Sequence, residues 1–585
     1  MEAPTYAPTP LRKVSQPTDR TCDKCYLRKI KCDRQQPRCS QCVADMSECT
    51  YKAPSRPSRP RKRRPATGKA PEPTHMRAFV EQLQSQVADL TKRLDEAKEQ
   101  KDQLPVVTKA TRGPKPTLIT SPVDEYGGLS NAIGSITGSK SPPLELPPFA
   151  EVMPAVQMYL DHFNSVTPLF HPGTLLGLVN DFYEFPNRRD TASWAAINIV
   201  LALTYRQVML GGLGVDNGTD VALDHLSKAQ SVLSDLLLGE PKLLHAQVIL
   251  GIVTMLQISK SLQPAMVLMG AAMRLVRGLG LHTRASTAHL DSETAKEHTY
   301  VFWIAYILDK DISMRVRSPS IQGDDEVDVD MPMAAIDDHR GADGSKRKLD
   351  GGVITTVNGN VAIDFFLTRI RLAIIQGGVY DYLYSVRSQA RSPEERNLAT
   401  SSLVNALQEW QSHIAPEFDA ASAAGNVSPT ALPFICSLHA TSFASLAMIN
   451  EANAWNQQWV INIRKYPGTC ADLHPRSRWE PLVEHARDFA VLFESIPPSG
   501  YALIWETICA YLTAVMLVAA NNAHRPFSDN MLSDMKLTRK AVQLVDDIFG
   551  SQTFPESGQV HLVRNACADL NQNALRRWYE KFGTA

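Results

Sequence analysis

Cys22-Asp-Lys-Cys25-Tyr-Leu-Arg28-Lys29-Ile30-Lys31-Cys32-Asp-Arg34-Gln-Gln-Pro37-Arg-Cys39-Ser-Gln-Cys42, closed by Cys49, holds six of the ten cysteines of a 585-residue chain. The spacing, C-x2-C-x6-C-x6-C-x2-C-x6-C, is itself a repeat, each half a CxxC followed by a third cysteine seven residues on. A short helix can carry the first ligands of each half while a loop returns the third to the same point, and two such halves can face each other. A disulfide framework needs an oxidising compartment. The opening MEAPTYAPTP lacks the apolar core of a secretory signal, so the expected location is inside the cell and the better reading is metal thiolate. Tetrahedral zinc takes four ligands, so six thiolates serve one ion with two left over, or two ions if two sulfurs bridge. The internal symmetry favours two zinc ions. No histidine precedes His75, and cysteine-only ligation points to a structural rather than a catalytic metal. A module of about thirty residues buries little core and is expected to be unfolded without its metal.

This stretch resembles the DNA-binding domain of the fungal zinc binuclear cluster transcription factors in ligand spacing, in the basic residues before the third cysteine, and in Pro37 two residues before the fourth. The resemblance implies that Cys22 and Cys39 bridge two zincs, that Cys25 and Cys32 complete one site, and that Cys42 and Cys49 complete the other. Between Cys25 and Cys32, Leu27 and Ile30 would share the inner face of a helix and leave the basic residues outward, as a probe for the major groove. Arg or Lys donating to guanine O6 and N7 is the commonest specific base contact. Members of the resembled family read CGG triplets in double-stranded DNA, which assigns that contact to Arg28 and Lys29. Lys31, Arg34 and Arg20 are expected on phosphates, and Lys24, just before the helix, joins the DNA-contacting set. The chain departs from the pattern at Tyr26, where many members carry Arg, which puts one phosphate contact in doubt.

Charge divides the chain in the same place. Residues 1–75 hold 17 Lys+Arg against 7 Asp+Glu, a head of +10 on a body of −10 within a net charge of zero. A basic head suggests a polyanionic partner. Residues 1–18 read as a disordered tail and 19–52 as the zinc module. Residues 53–75 form an extended Pro- and Arg-rich linker whose run Arg61-Lys62-Arg63-Arg64 suits nuclear localisation or phosphate tracking. Over 76–104 a heptad stripe, with Val80 and Val87 alternating with Leu83, Leu90 and Leu94, predicts a parallel coiled coil and hence a homodimer. Residues 105–147 read as a second disordered linker.

From about Pro148 apolar residues recur at helical spacing, as in Leu403-Leu407-Trp410-Ile414, and strand alternation is scarce, which predicts a large all-α domain. Its first part, 148–335, resembles the middle regulatory domain of the same fungal factors in Tyr159-Leu-Asp-His-Phe-Asn, Pro168-Leu-Phe-His171-Pro, Ala265–Arg284 and Val301–Asp311, running on to Asp324–Pro332. Residues 336–353 read as a disordered loop and 354–585 as a helical continuation. The longest apolar stretch, Ile508 to Ala520, falls short of the roughly 20 residues a membrane helix needs, so no membrane role is expected. Gly134–Ser141 has Ser139 where a phosphate loop needs glycine and follows no strand, and Gly212-Leu-Gly214 lacks the third glycine of a dinucleotide fingerprint. His171, His282 and the acidic run Asp324–Asp330 read as satisfied histidines and a solvated loop rather than a catalytic group, so no enzyme is expected. Cys436, Cys470, Cys509 and Cys567 are isolated and read as buried hydrophobes.

The expected function is that of a nuclear, homodimeric regulator of RNA polymerase II genes, acting with the transcription machinery or co-regulators. By analogy with the resembled family it would control a nutrient-use pathway or a secondary metabolite cluster. Two other readings remain open at this stage: a zinc-module scaffold or repressor, and a ligand-sensing helical receptor with an attached DNA reader.

Overall fold

A computed structural model describes residues 22, 25, 31–34, 38–45, 49–50, 144–210, 218–257, 259, 261–332, 351–465, 476–496, 501–549 and 558–583. The tail 1–18, Arg20, Lys24, Arg28, Lys29, the linker 53–75 with Arg61–Arg64, the heptads 76–104 with Val80, Leu83, Val87, Leu90 and Leu94, and residues 336–350 lie outside them. The chain divides into two units, residues 1–117 and 118–585.

In the first unit, helix α1 (Ser40–Ala44) starts inside the second CxxC, with Cys39 as its N-cap. The loop ahead of it turns at Arg34, whose φ of 62° is a left-handed conformation that non-glycine residues adopt at a cost.

The second unit is helical, as its periodicity predicts. Helices α2 (Phe149–Tyr159), α3 (Pro172–Glu184), α4 (Thr191–Leu210), α5 (Gly218–Gln230), α6 (Leu243–Leu256), α7 (Gln263–Gly278) and α8 (Ser292–Val316) form its first part. Several boundaries have a local cause. Helix α3 opens on Pro172, with His171 Nδ1 accepting from Thr174 N–H, and α8 opens on Asp291, whose carboxylate accepts from Glu293 and Thr294 N–H. Helix α8 ends where Arg317 turns left-handed and Ser318 N–H reaches back to the Ser313 carbonyl. A two-stranded antiparallel hairpin follows, β1 (Val353–Thr355) on β2 (Ala362–Asp364), with Ile354 opposite Ile363. Asn358-Gly359, with Gly359 at φ 70°, makes the turn. Thus residues 351–353 of the segment expected to be disordered carry a turn and the start of a strand.

The chain continues through α9 (Phe365–Val379), α10 (Pro393–Ser412), α11 (Leu432–Ile449), α12 (Gln457–Lys465), α13 (Arg476–Glu494), α14 (Tyr501–His524), α15 (Met531–Phe549) and α16 (Gln559–Phe582). Ser392 and Glu395 close a capping box at the start of α10. Two large apolar cores result. One is built by α2 to α8 around Trp194, Ile249, Phe302 and Tyr306, the other by α10 to α16 around Phe418, Trp479, Phe489 and Tyr511. Helix α9 is their common wall: Phe366, Ile370 and Ala373 enter the first core, Phe365 and Leu372 the second. Helix α11 is long and apolar enough to cross a membrane, but 78% of it is buried inside this body.

The acidic run is surface chain held down at several points. Asp324 accepts from the Lys310 ammonium at 2.7 Å and the Tyr306 hydroxyl at 2.6 Å, Glu326 pairs with Arg277, and Asp330 pairs with Arg284 at 2.6 Å. Lys310 is itself 2% exposed, and its ammonium also donates to Ser320 Oγ and the Gln322 carbonyl. Asp309 beside it accepts from Ile321 and Gln322 N–H. These contacts fasten the loop after α8 to the helix; they do not converge on a reaction centre.

Candidate metal centre and nucleic-acid interface

The six expected ligands come together. Cys22, Cys25, Cys32 and Cys39 form one group of four sulfurs and Cys22, Cys39, Cys42 and Cys49 a second, the sulfurs within each lying within 4.8 Å of one another. Cys22 and Cys39 belong to both groups. The spacing fits a metal: Zn–S bonds of about 2.3 Å in a tetrahedron put ligand sulfurs about 3.8 Å apart. The Cys22–Cys39, Cys22–Cys42 and Cys25–Cys39 sulfurs stand 3.7, 3.7 and 3.6 Å apart. Disulfide sulfurs would stand about 2 Å apart, and all six cysteines are free.

The repeat in the sequence is a repeat in the hydrogen bonding. Cys25 N–H donates to the Cys22 sulfur at 3.4 Å and Cys42 N–H to the Cys39 sulfur at 3.5 Å, so each CxxC folds its own backbone onto its first thiol. These are the two sulfurs that both groups share and that would carry the most metal charge. Cys39 N–H donates in turn to Cys49 at 3.4 Å. Asp33 accepts from Ser40 N–H at 3.1 Å and Ser40 Oγ at 2.6 Å, tying the loop after Cys32 to the first residue of α1. Asp33 was not singled out from the sequence; nothing local links it to a residue seven positions away.

Burial opposes ionisation at three of the thiols. Burial pushes Cys22 and Cys39 up from the ordinary thiol value, and Cys25 is raised by burial and then by the neighbouring thiols of Cys22 and Cys39. At Cys32 burial acts upward too, but backbone N–H groups of Cys22 and Arg34 and the thiols of Cys39 and Cys22 act downward together, and the thiol is lowered. A cation with affinity for thiolate would displace the thiol protons, so metal uptake is coupled to proton release. This donor set fits zinc.

Of the expected DNA contacts, Lys31 and Arg34 flank Cys32 and are exposed. Arg38 beside Cys39 is equally exposed, a basic residue passed over in the sequence whose signal was its adjacency to a ligand.

Comparison with known proteins follows the same division. Residues 20–58 match the Fungal Zn(2)-Cys(6) binuclear cluster domain and residues 156–412 the Fungal specific transcription factor domain. The second match runs from α2 into α10, and most of the second core lies beyond it. An "ABC-transporter-regulating transcription factor" of Aspergillus oryzae is 27% identical over 73% of this chain and 47% of the relative. The chain thus spans about half the length of the Aspergillus relatives. A "Fusaridione A cluster transcription factor" of Fusarium heterosporum is 22% identical over 73% of this chain and 78% of its own length. A "Citrinin biosynthesis transcriptional activator" of Monascus ruber is 24% identical over 53% and 62%. No solved structure matches.

Proposed function

Because the chain belongs to the fungal zinc binuclear cluster transcription factor family, we propose that it is a nuclear, sequence-specific DNA-binding regulator of RNA polymerase II genes. The observation that carries the reading is the pair of four-sulfur groups joined at Cys22 and Cys39. Two zinc ions, one per group and bridged by those two sulfurs, hold the module in one shape. Arg28 and Lys29 read guanines of CGG-type half-sites in the major groove. Lys24, Lys31, Arg34 and Arg20 position the module on phosphates and carry no sequence information. Heptads 76–104 pair two chains, so that two modules meet two half-sites, while Arg61–Arg64 direct the protein to the nucleus. The relatives named for the fusaridione and citrinin clusters support a pathway-specific regulator of secondary metabolism.

Selection of bound sites from randomised DNA, with zinc and after chelation, at fixed salt because phosphate contacts make affinity salt-dependent, tests the reading. Paired CGG triplets that disappear on chelation and in the double variant Arg28→Ala, Lys29→Ala are the expected result. Zinc-independent or sequence-blind binding would contradict it.

A further inference from the structure

On the seam between the two cores lies a cavity of about 200 Å³, walled by residues of α8, α9, α11 and α14. Its apolar lining comes from Ala440, Ala444, Ala447 and Met448 of α11, with Met314 of α8 and Ile508 of α14. Trp455, also on the wall, is 40% exposed, so the cavity lies close beneath the surface there. An engineered apolar cavity of about 150 Å³ takes up benzene, so this one has room for a molecule of one ring with a short chain.

The polar groups of the wall are largely spent on one another. Asp311 accepts from Arg369 Nη2 at 2.5 Å and Gln376 Nε2 at 3.1 Å; Glu506 accepts from Arg206 Nη2 at 3.4 Å and the Ser437 hydroxyl at 2.5 Å. The hydroxyls of Thr441, Thr507 and Thr513 donate to carbonyls one turn back, those of Ser437, Leu503 and Cys509. Gln376 stands apart. It is 4% exposed, its Nε2 also lies 3.2 Å from Met314 Sδ, and its Oε1 meets no donor. Turning the amide round does not cure this, because its oxygen would then face the Asp311 carboxylate. A buried acceptor without a donor costs free energy and asks for an explanation. With these hydroxyls committed elsewhere, the missing donor is left to come from a guest.

We propose that this cavity is a binding site for a small uncharged hydroxyl compound with an apolar ring, of the class of an alkylphenol. Its hydroxyl donates to Gln376 Oε1, and its ring and short chain lie against the alanines of α11 and against Met314. All of these residues line the one cavity. Apolar walls with a few placed polar groups are what small-molecule sites share. A charged guest is disfavoured, because it would lose its water among apolar side chains while both carboxylates of the wall are already held by arginine. The site lies wholly in the second unit, so its failure leaves the DNA-binding reading untouched.

The test is equilibrium dialysis of the full chain against 4-ethylphenol and, separately, its methyl ether 4-ethylanisole, which has the same body and no donor. The phenol is expected to bind with a submillimolar Kd and at least about tenfold more tightly than the ether, a difference of about 1.4 kcal/mol. Two variants locate the effect. Gln376→Met keeps the length of the side chain and removes the acceptor, so phenol and ether are expected to bind alike. Ala444→Leu fills the cavity with a residue that suits a helix, and is expected to weaken both by at least about tenfold. If the native chain binds neither compound below millimolar concentration, the cavity holds water alone and the proposal is overturned. It is equally overturned if the native chain binds phenol and ether alike, or if the preference for phenol survives in folded Gln376→Met. Should that variant not fold, Ala444→Leu decides: binding of the phenol at native strength there also overturns the proposal.

Discussion

Among the described residues of the zinc unit the only buried side chains are Cys22, Cys25, Cys39 and Cys42, whereas the body buries two continuous apolar cores on either side of α9. The described residues of the zinc module exclude little from water but sulfur, so its folding free energy is expected to come from binding metal. The second unit draws its stability chiefly from apolar burial, with its buried polar groups, such as His225 on Asn198 and Arg487 on Asp534, held in specific pairs. The comparison teaches that the same chain should respond to two different stresses at two different places, and each response can be sought separately.

The largest effect is expected from removing metal. Chelation should abolish specific DNA binding, a loss of roughly a hundredfold or more in affinity, while the melting temperature of the body stays put. A body that melts earlier without zinc would break the comparison. Truncating the body's core should do the reverse. Trp479 is 1% exposed in the second core, and Trp479→Ala should cost about 3–5 kcal/mol in denaturant unfolding with zinc content unchanged. Lys310→Met is smaller, about 1–3 kcal/mol, because it strips three acceptors of a buried donor while Asp324 keeps partial access to water. Acid should separate the units again. Burial holds His225 down at about 4, so below the ordinary histidine value of 6.5 the unfolded chain takes up a proton that the native body refuses. Body stability should therefore fall as pH drops from about 6.5 to about 4 and level off below, more shallowly in His225→Gln, as followed by denaturant midpoint. The smallest effect belongs to Arg284→Ala, which removes exposed pairs to Asp328 and Asp330 and should change stability by less than about 1 kcal/mol.

How much of this could be read beforehand follows from the range of the interactions. The six ligands sit within 28 residues, and a regular spacing announces a metal before any geometry is known. Which two sulfurs are shared could not be read from the spacing itself; it came from the resemblance, and the grouping of Cys22 and Cys39 in both sets now rests on distances. The helices of the body were legible in their apolar periodicity. The hairpin was not, although Thr356-Val-Asn358-Gly359 carries the Asn-Gly turn signal, because its strands are three residues each and lie between long helices. The acidic run Asp324–Asp330 reads as solvated, and its side chains are partly so, but the partners that fasten it, Lys310, Arg277 and Arg284, lie 14 to 49 residues earlier. The seam was beyond reach altogether. Arg206 and Glu506 are 300 residues apart and meet only once both cores are packed.

Metal content by mass measurement, on the native chain and on two serine variants, tests the central claim most directly. Cys39 belongs to both four-sulfur groups and Cys25 to one. The account predicts two zinc ions per native chain, one in Cys25→Ser and none in Cys39→Ser. A single zinc in the native chain, or the same loss from both variants, would contradict it.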